Sequence, residues 1–252
     1  MPKWILPILL VLSAVGFGYS MFHSTVSGAP PYGEALEDVP TETDPYAWIN
    51  EWKRPDGPPK VALQAGHWKA VEVPDELEKL RSNTGSSGGG KWEWEVNLTI
   101  ANLVMERLKT RGIEAEILPA TIPPRYWADV FVSIHADGNL NRSVSGYKVA
   151  APWRDWTGKA QELADLIDSE YALSTDMIKD PNITRNMRGY YAFSWWRYEH
   201  SLHPKTTAVI IETGFLTNAS DRKIIVSNPE KAAEGITNGV IKFLVNDAGR
   251  KH

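Results

Sequence analysis

The stretch ADVFVSIHAD, from Ala128 to Asp137, decides the fold. A short apolar run bounded by polar residues is the mark of a buried strand, and this one ends on a histidine, His135. KVALQAG, Lys60 to Gly66, has the same form and is followed by His67. IEAEIL (Ile113–Leu118), SGYKVA (Ser145–Ala150) and TTAVIIETG (Thr206–Gly214) read as three further strands. Helical patterns lie between them. From about Trp92 to Arg111, Val96, Ile100, Leu103, Val104 and Leu108 recur at helical spacing, and Gly112 stops the run. A second helix is expected around Trp156–Tyr171, and a third over Pro229–Val245 with proline in its first turn. Met177–Pro204 reads as loops with short helical pieces. Strands alternating with helices imply an α/β layered sheet.

Composition narrows the function. The chain has 252 residues, a formal net charge of −4 and no cysteine. The charge lacks the basic excess of a nucleic-acid binder. Without thiolates, any metal must sit on His, Asp or Glu. At the N-terminus Lys3 precedes an uncharged run from Trp4 to Phe22, the pattern of a signal peptide or a single membrane anchor. The expected organisation is therefore a leader or anchor at 1–23, a Pro/Gly/acidic linker at 24–59, a catalytic domain at 60–246 and a tail at 247–252. Within the linker, YAWINEW (Tyr46–Trp52) is an aromatic island suited to docking on the domain surface.

NTGSSGGGKWEWEVNL, Asn83 to Leu98, contains the Gly-x4-Gly-Lys frame of a phosphate-binding loop at Gly85, Gly90 and Lys91. Position 92 is Trp where the motif needs a magnesium-binding hydroxyl, and no apolar strand precedes the frame. No nucleotide is expected, and Gly85–Gly90 reads as a flexible surface loop.

In open α/β sheets, ligands gather outside the carboxyl ends of the strands. His67 and His135 both sit at strand exits, so they are natural co-ligands if those strands are neighbours. A carboxylate would complete a two-histidine, one-carboxylate zinc site with an open position. Glu95, at the start of the first long helix, is placed to supply it. Glu212 closes the apolar strand AVIIETG, where burying a carboxylate is costly without a partner. It is the candidate general base. Trp68 is a candidate cleft wall, and Arg81 and Asn83 are candidate substrate contacts. His200 and His203 read as surface-loop residues.

LQAGH, EWEVNL, VSIHAD and IIETGFLTN together resemble the motifs of the zinc-dependent N-acetylmuramoyl-L-alanine amidases. Those motifs run as strand-Gly-His, Glu-x-Asn-Leu, Ser-Ile-His-Ala and Glu-x-Gly-Phe-x-Asn. The resemblance implies a three-layer α/β sandwich with a central mixed, mostly parallel sheet flanked by helices. It implies zinc held by His67, Glu95 and His135, with Glu212 as the catalytic carboxylate. Glu95 is preferred over Glu93 because Val96-Asn97-Leu98 follow it as in the family motif. The implied reaction is hydrolysis of the amide joining N-acetylmuramic acid to L-alanine of peptidoglycan, outside the cytoplasm. A membrane association would run through the N-terminal segment if it stays uncleaved. The chain departs from the family at Gln64-Ala65, where Asp-Pro is usual. Rival readings are another zinc peptidase acting on stem peptides, or a non-catalytic wall-binding module.

Overall fold

The computed structural model describes residues 44–250, and a compact unit begins at Tyr46. The elements in chain order are α1 (Ala47–Asn50), β1 (Lys60–Ala65), β2 (Ser87–Gly88), β3 (Lys91–Trp92), α2 (Glu93–Lys109), β4 (Glu114–Leu118), β5 (Val130–Asp137), β6 (Lys148–Ala150), α3 (Ala160–Thr175), α4 (Arg185–Arg188), β7 (Thr207–Phe215), α5 (Ala219–Ile225) and α6 (Pro229–Gly249). Single 3-10 turns add Ala70–Glu72, Asp75–Leu80 and Tyr191–Phe193.

Five strands form one sheet in the order β4-β1-β5-β7-β6. The first three pairings are parallel, and β6 runs antiparallel on the edge beside β7. The α/β class and the mixed, mostly parallel sheet are as the sequence implies. β1 and β5 are neighbours, with Ala65 level with Ile134, which is the condition for His67 and His135 to meet.

Side chains alternate between the two faces of a strand, and here both faces are apolar. Val61, Leu63, Val130, Val132, Ile134, Val209 and Ile211 face a core closed by α2, α3 and α6. Ala62, Phe131, Ala208 and Ile210 face a second core. That second layer is built from 3-10 turns and irregular segments around Leu77, Ile122, Met187 and Phe193 rather than from long helices. Gln64, Ser133, His135 and Glu212 share the parity of this second face. The site therefore opens on the side where loops, not helices, cover the sheet.

Four points differ from the sequence reading. α3 begins at Ala160, four residues after Trp156, because Asp155 accepts the N–H groups of Thr157 and Ala160 and holds the intervening turn out of the helix. α5 was not foreseen, although Asn218 caps it by accepting from Ser220 and Asp221. The linker does not extend to residue 59. Ile49 is fully buried, Tyr46 and Trp48 pack on Trp195, and Trp52 packs on Trp127. Arg54 then clamps Asp129 through two nitrogens at 2.6 and 2.8 Å, and Asp129 also receives the N–H of Lys60. The aromatic island is thus part of the domain, tied to the start of β5. At the other end α6 runs to Gly249, so the tail is helical almost throughout its described part. The leader or anchor at 1–23 and linker residues 24–43 lie outside the described residues. Among the described residues no helix is long and apolar enough to cross a membrane.

Candidate active site

The glycine loop is an ordered device. Ser87–Gly88 pair with Lys91–Trp92 in a two-residue hairpin, and Gly89 and Gly90 take the left-handed φ values, 61° and 77°, that such a turn demands. The hairpin delivers the chain directly into α2. Gly85 lies against Glu93 and the His67 ring so closely that a Cβ there would overlap the Glu93 carboxylate.

It is Glu93, not Glu95, that reaches the histidines. Oε1 of Glu93 lies 3.0 Å from Nδ1 of His135 and 3.4 Å from Nε2 of His67. Glu95 turns away: it accepts the N–H of Trp92 at 2.9 Å, a helix-capping contact, and faces Lys91. The Glu93 side chain is 5% exposed and that of Glu95 31%. The physical reason is helical geometry. Two residues apart means about 200° around the axis, so only one of the pair can face the sheet. Glu93 continues the buried stripe of Asn97, Ile100 and Val104, whereas Glu95 shares the solvent side with Thr99, Asn102 and Glu106. Asn97, one turn on, donates to both Glu93 and the carbonyl of Gly66. That i,i+4 Glu–Asn pair on the apolar stripe is the signal that could have picked Glu93 from the sequence.

His67 leaves β1 with a left-handed backbone, φ 62°, unusual for a non-glycine residue and a form of local strain that gathers at functional sites. Its Nδ1 pairs with the carbonyl of Asn83 at 2.8 Å, so the proton sits there and the Nε2 lone pair is left facing Glu93. His135 lies at right angles to His67 with ring centroids 5.0 Å apart. Gly66 must be glycine, since a Cβ would overlap the His135 ring. Beneath this pair Gln64 is fully buried and satisfied. It donates to the carbonyl of Ala120 and accepts from Ser133 and Tyr190.

Glu212 stands in register between His135 on β5 and Lys148 on β6, all three on the same face. Lys148 is itself buried and paired with Asp137 at 2.6 Å and Asp180 at 3.2 Å. Among the described residues the Glu212 carboxylate has no hydrogen-bond partner, and it opens onto a cleft of about 850 Å³ shared with His67, Glu93 and His135.

The electrostatics separate the two carboxylates. Burial works against the Glu93 anion, but the hydrogen bond from His135, the charges of both histidines and the Ser86 N–H outweigh it and hold the group at about 2. For Glu212 burial is not repaid, and with Glu93 and Asp137 nearby it is pushed up to about 8. Burial lowers His67. His135 also suffers burial, yet Glu93 and Glu212 raise it.

The donor set fits a divalent cation. One atom from each of His67, Glu93 and His135 lies within 4.8 Å of the others, and Nε2 of His135 is buried with no partner. Two imidazoles and one carboxylate form a familiar zinc set.

The sequence profile described as N-acetylmuramoyl-L-alanine amidase matches residues 61–242. The chain belongs to the N-acetylmuramoyl-L-alanine amidase family. Among characterised relatives it is 26% identical over 207 residues to the amidase AmiA of Salmonella typhimurium, covering 64% of this chain and 72% of that one. It is 27% identical over 175 residues to LytC of Bacillus subtilis, covering 64% of this chain but 33% of LytC. The amidase of Clostridium difficile 630 superposes with a TM-score of 0.55 at 22% identity, over 75% of this chain and 98% of that structure. The amidase AmiC2 of Nostoc punctiforme gives 0.54 at 24% identity, over 76% and 99%. This chain is thus an amidase of peptidoglycan, with the same fold.

Not every sequence candidate reaches the amidase cleft. Asn83 lines it, through the loop that steadies His67. Arg81 does not: it bonds the carbonyl of Val73 and pairs with Asp75. Trp68 lies outside the lining too, its ring under the Lys69 ammonium. His200 pairs with Glu76 near the surface. His203 is buried beneath Trp48 and Trp52 rather than on a surface loop. Tyr190 is a cleft residue that the sequence pattern does not reveal. It stacks edge-on against His135 and lines the cleft, but it comes from an irregular segment with no periodicity to flag it.

Proposed function

We propose that this amidase holds zinc on His67, Glu93 and His135 and uses Glu212 as the proton-carrying carboxylate in cutting the amide between N-acetylmuramic acid and L-alanine. The observation that carries the reading is the meeting of three ligand-type side chains at one buried point, with Glu212 one strand away on the same face. Zinc bound there would polarise the scissile carbonyl and activate water. The chain's own residues supply the rest. Asn83 fixes the tautomer of His67, and Asn97 and the N–H groups of Ser86 and Ala136 fix the Glu93 carboxylate. Glu212 takes the proton of the attacking water and returns it to the departing alanine nitrogen. Its carboxyl makes no hydrogen bond among the described residues, so it can serve first as proton acceptor and then as donor. Tyr190 and Met187 close one wall of the cleft against water.

The substrate places the working enzyme outside the cytoplasm, and the basic-then-apolar N-terminal segment fits a leader or anchor. Sequencing the N-terminus of the mature protein distinguishes the two.

The test is a digest of purified sacculi read by mass spectrometry, with metal analysis on the same sample. Free stem peptides and intact glycan are expected, at close to one zinc per chain. Cleavage within the stem peptide instead would overturn the assignment.

A further inference from the structure

Beside the catalytic cleft runs a second groove of about 530 Å³, which shares Asn186 and Gly189 with it as common lining. One wall is Pro152–Arg154, just after β6; the other is α4 and the chain from Gly189 to Arg197. The N–H of Trp153 donates to the carbonyl of Arg188 and ties the walls together at 3.0 Å. Of the eleven lining residues four are arginine, namely Arg154, Arg185, Arg188 and Arg197, and none is acidic. In a chain of net charge −4 this is a local reversal of sign.

None of the four arginines forms an ion pair with a carboxylate among the described residues. Two of them sit over indoles: Arg154 over Trp196 and Arg188 over Trp153, each with the guanidinium carbon 4.5 Å from the ring centroid. A ring beneath a guanidinium leaves its N–H groups available to a carboxylate, and Arg188 commits only its Nε, to the carbonyl of Ala151 at 3.4 Å. Trp153 is 61% and Trp196 41% exposed, so the stacked pairs stand at the groove's rim rather than in a core.

We infer that this groove binds the stem-peptide arm of the substrate through its carboxylates. The inference rests on the amidase reading, because it uses that substrate's chemistry. In the uncleaved substrate the muramoyl–alanine amide joins two arms. The glycan arm consists of neutral N-acetylated sugars, and its lactyl carboxyl is consumed in the amide. Negative charge therefore lies on the peptide arm, which ends in a free carboxylate. A groove continuous with the cleft and bearing four arginines without a carboxylate partner among the described residues matches that arm and not the glycan. Arg185 and Arg197 are exposed, Arg197 with its guanidinium over the Tyr198 ring, and they extend the positive field away from the cleft. The groove thus sets preference for acidic over amidated stem peptides.

The experiment uses the full chain and two synthetic ligands: a tetrapeptide beginning with L-alanine and ending in a free acid, and its C-terminal amide. Calorimetry measures binding of each to the wild type and to Arg185→Gln/Arg197→Gln; the matching muropeptides give KM. The wild type is expected to prefer the acid by roughly 3- to 10-fold, and the double Gln variant to bring the acid-to-amide ratio toward one. Arg185→Lys/Arg197→Lys, which keeps the charge, should restore most of the preference and so excludes a folding defect. Equal binding of acid and amide by the wild type overturns the inference, as does a preference that survives in the Gln variant. Sedimentation with vesicles containing anionic phospholipid supplies the other arm. If the Gln variant loses only vesicle binding, the groove serves a lipid surface and the inference falls. Because peptide binding needs no turnover, a wild type that binds the acid but releases no stem peptide would refute the amidase mechanism and leave the groove standing. A wild type that digests acid and amide alike would do the reverse.

Discussion

The domain buries two histidines whose Nε2 atoms find no partner, His135 and His203, and their surroundings could hardly differ more. His135 faces Glu93 at 3.0 Å and opens on the 850 Å³ cleft. His203 is sandwiched by Trp48 and Trp52, accepts the N–H of Lys205 on Nδ1, and borders a hollow of about 20 Å³. Carboxylates raise the first. Burial, helped by Lys205 and Arg125, lowers the second to about 4. An orphaned imidazole nitrogen thus marks a ligand site only when an anion and a cavity stand beside it. Without them it is the cost of packing a histidine in an aromatic cluster.

Removing the anion should break this contrast most severely. Glu93→Ala is expected to abolish zinc retention and reduce stem-peptide release below detection, as metal analysis and a sacculus digest will read. A Glu93→Ala protein that keeps its metal would return the ligand role to another residue. Glu212→Gln should leave the metal in place while slowing turnover by about 10²- to 10⁴-fold, the usual share of a proton-transferring group. A loss of less than tenfold would assign the proton transfer elsewhere.

The aromatic region should respond in stability instead. Trp52→Ala opens space against Trp127 and His203 and is expected to cost about 2 kcal/mol in urea unfolding, with the folded fraction still active. His203 carries a pH signature of defined sign. Its folded pKa, about 4, lies below the unfolded value, so its contribution is complete above pH ~6.5 and drains away as pH falls toward 4. Relative to His203→Phe, the wild type should therefore lose about 2 kcal/mol between pH 7 and pH 4.5. Parallel pH profiles for the two proteins would show that the histidine is solvated after all. The smallest effect belongs to Glu95→Ala, which removes one helix-end contact. It should cost about 1 kcal/mol or less and leave zinc content unchanged.

The sequence announced His67, His135 and Glu212 because strands are simple to read. A short continuous apolar run marks a strand buried on both faces, and a histidine or carboxylate near its carboxyl end stands where ligands gather. The sheet's alternation with helices was equally plain, since each core-facing helix, α2 and α6 above all, repeats its apolar residues at helical spacing. The family motif favours Glu95 by its sequence neighbours, whereas the helix selects Glu93 by its face. Residues Glu93 and Glu95 differ by half a turn of helix, and only the angle at which the hairpin of Gly89 and Gly90 launches α2 decides which one meets β5. Trp68, Arg81, Tyr190 and the aromatic island before β1 lie in segments without periodicity, where position depends on long-range contacts such as Arg54 with Asp129.

What the sequence determined by itself was the set of strands and helices and the chemistry available at the strand ends, because burial periodicity is local. What only the tertiary structure decided was which carboxylate joins the histidines, which buried histidine stays a packing residue, and where four arginines gather beside the cleft. Each of those depends on side chains brought together from distant parts of the chain, and no local pattern encodes that distance.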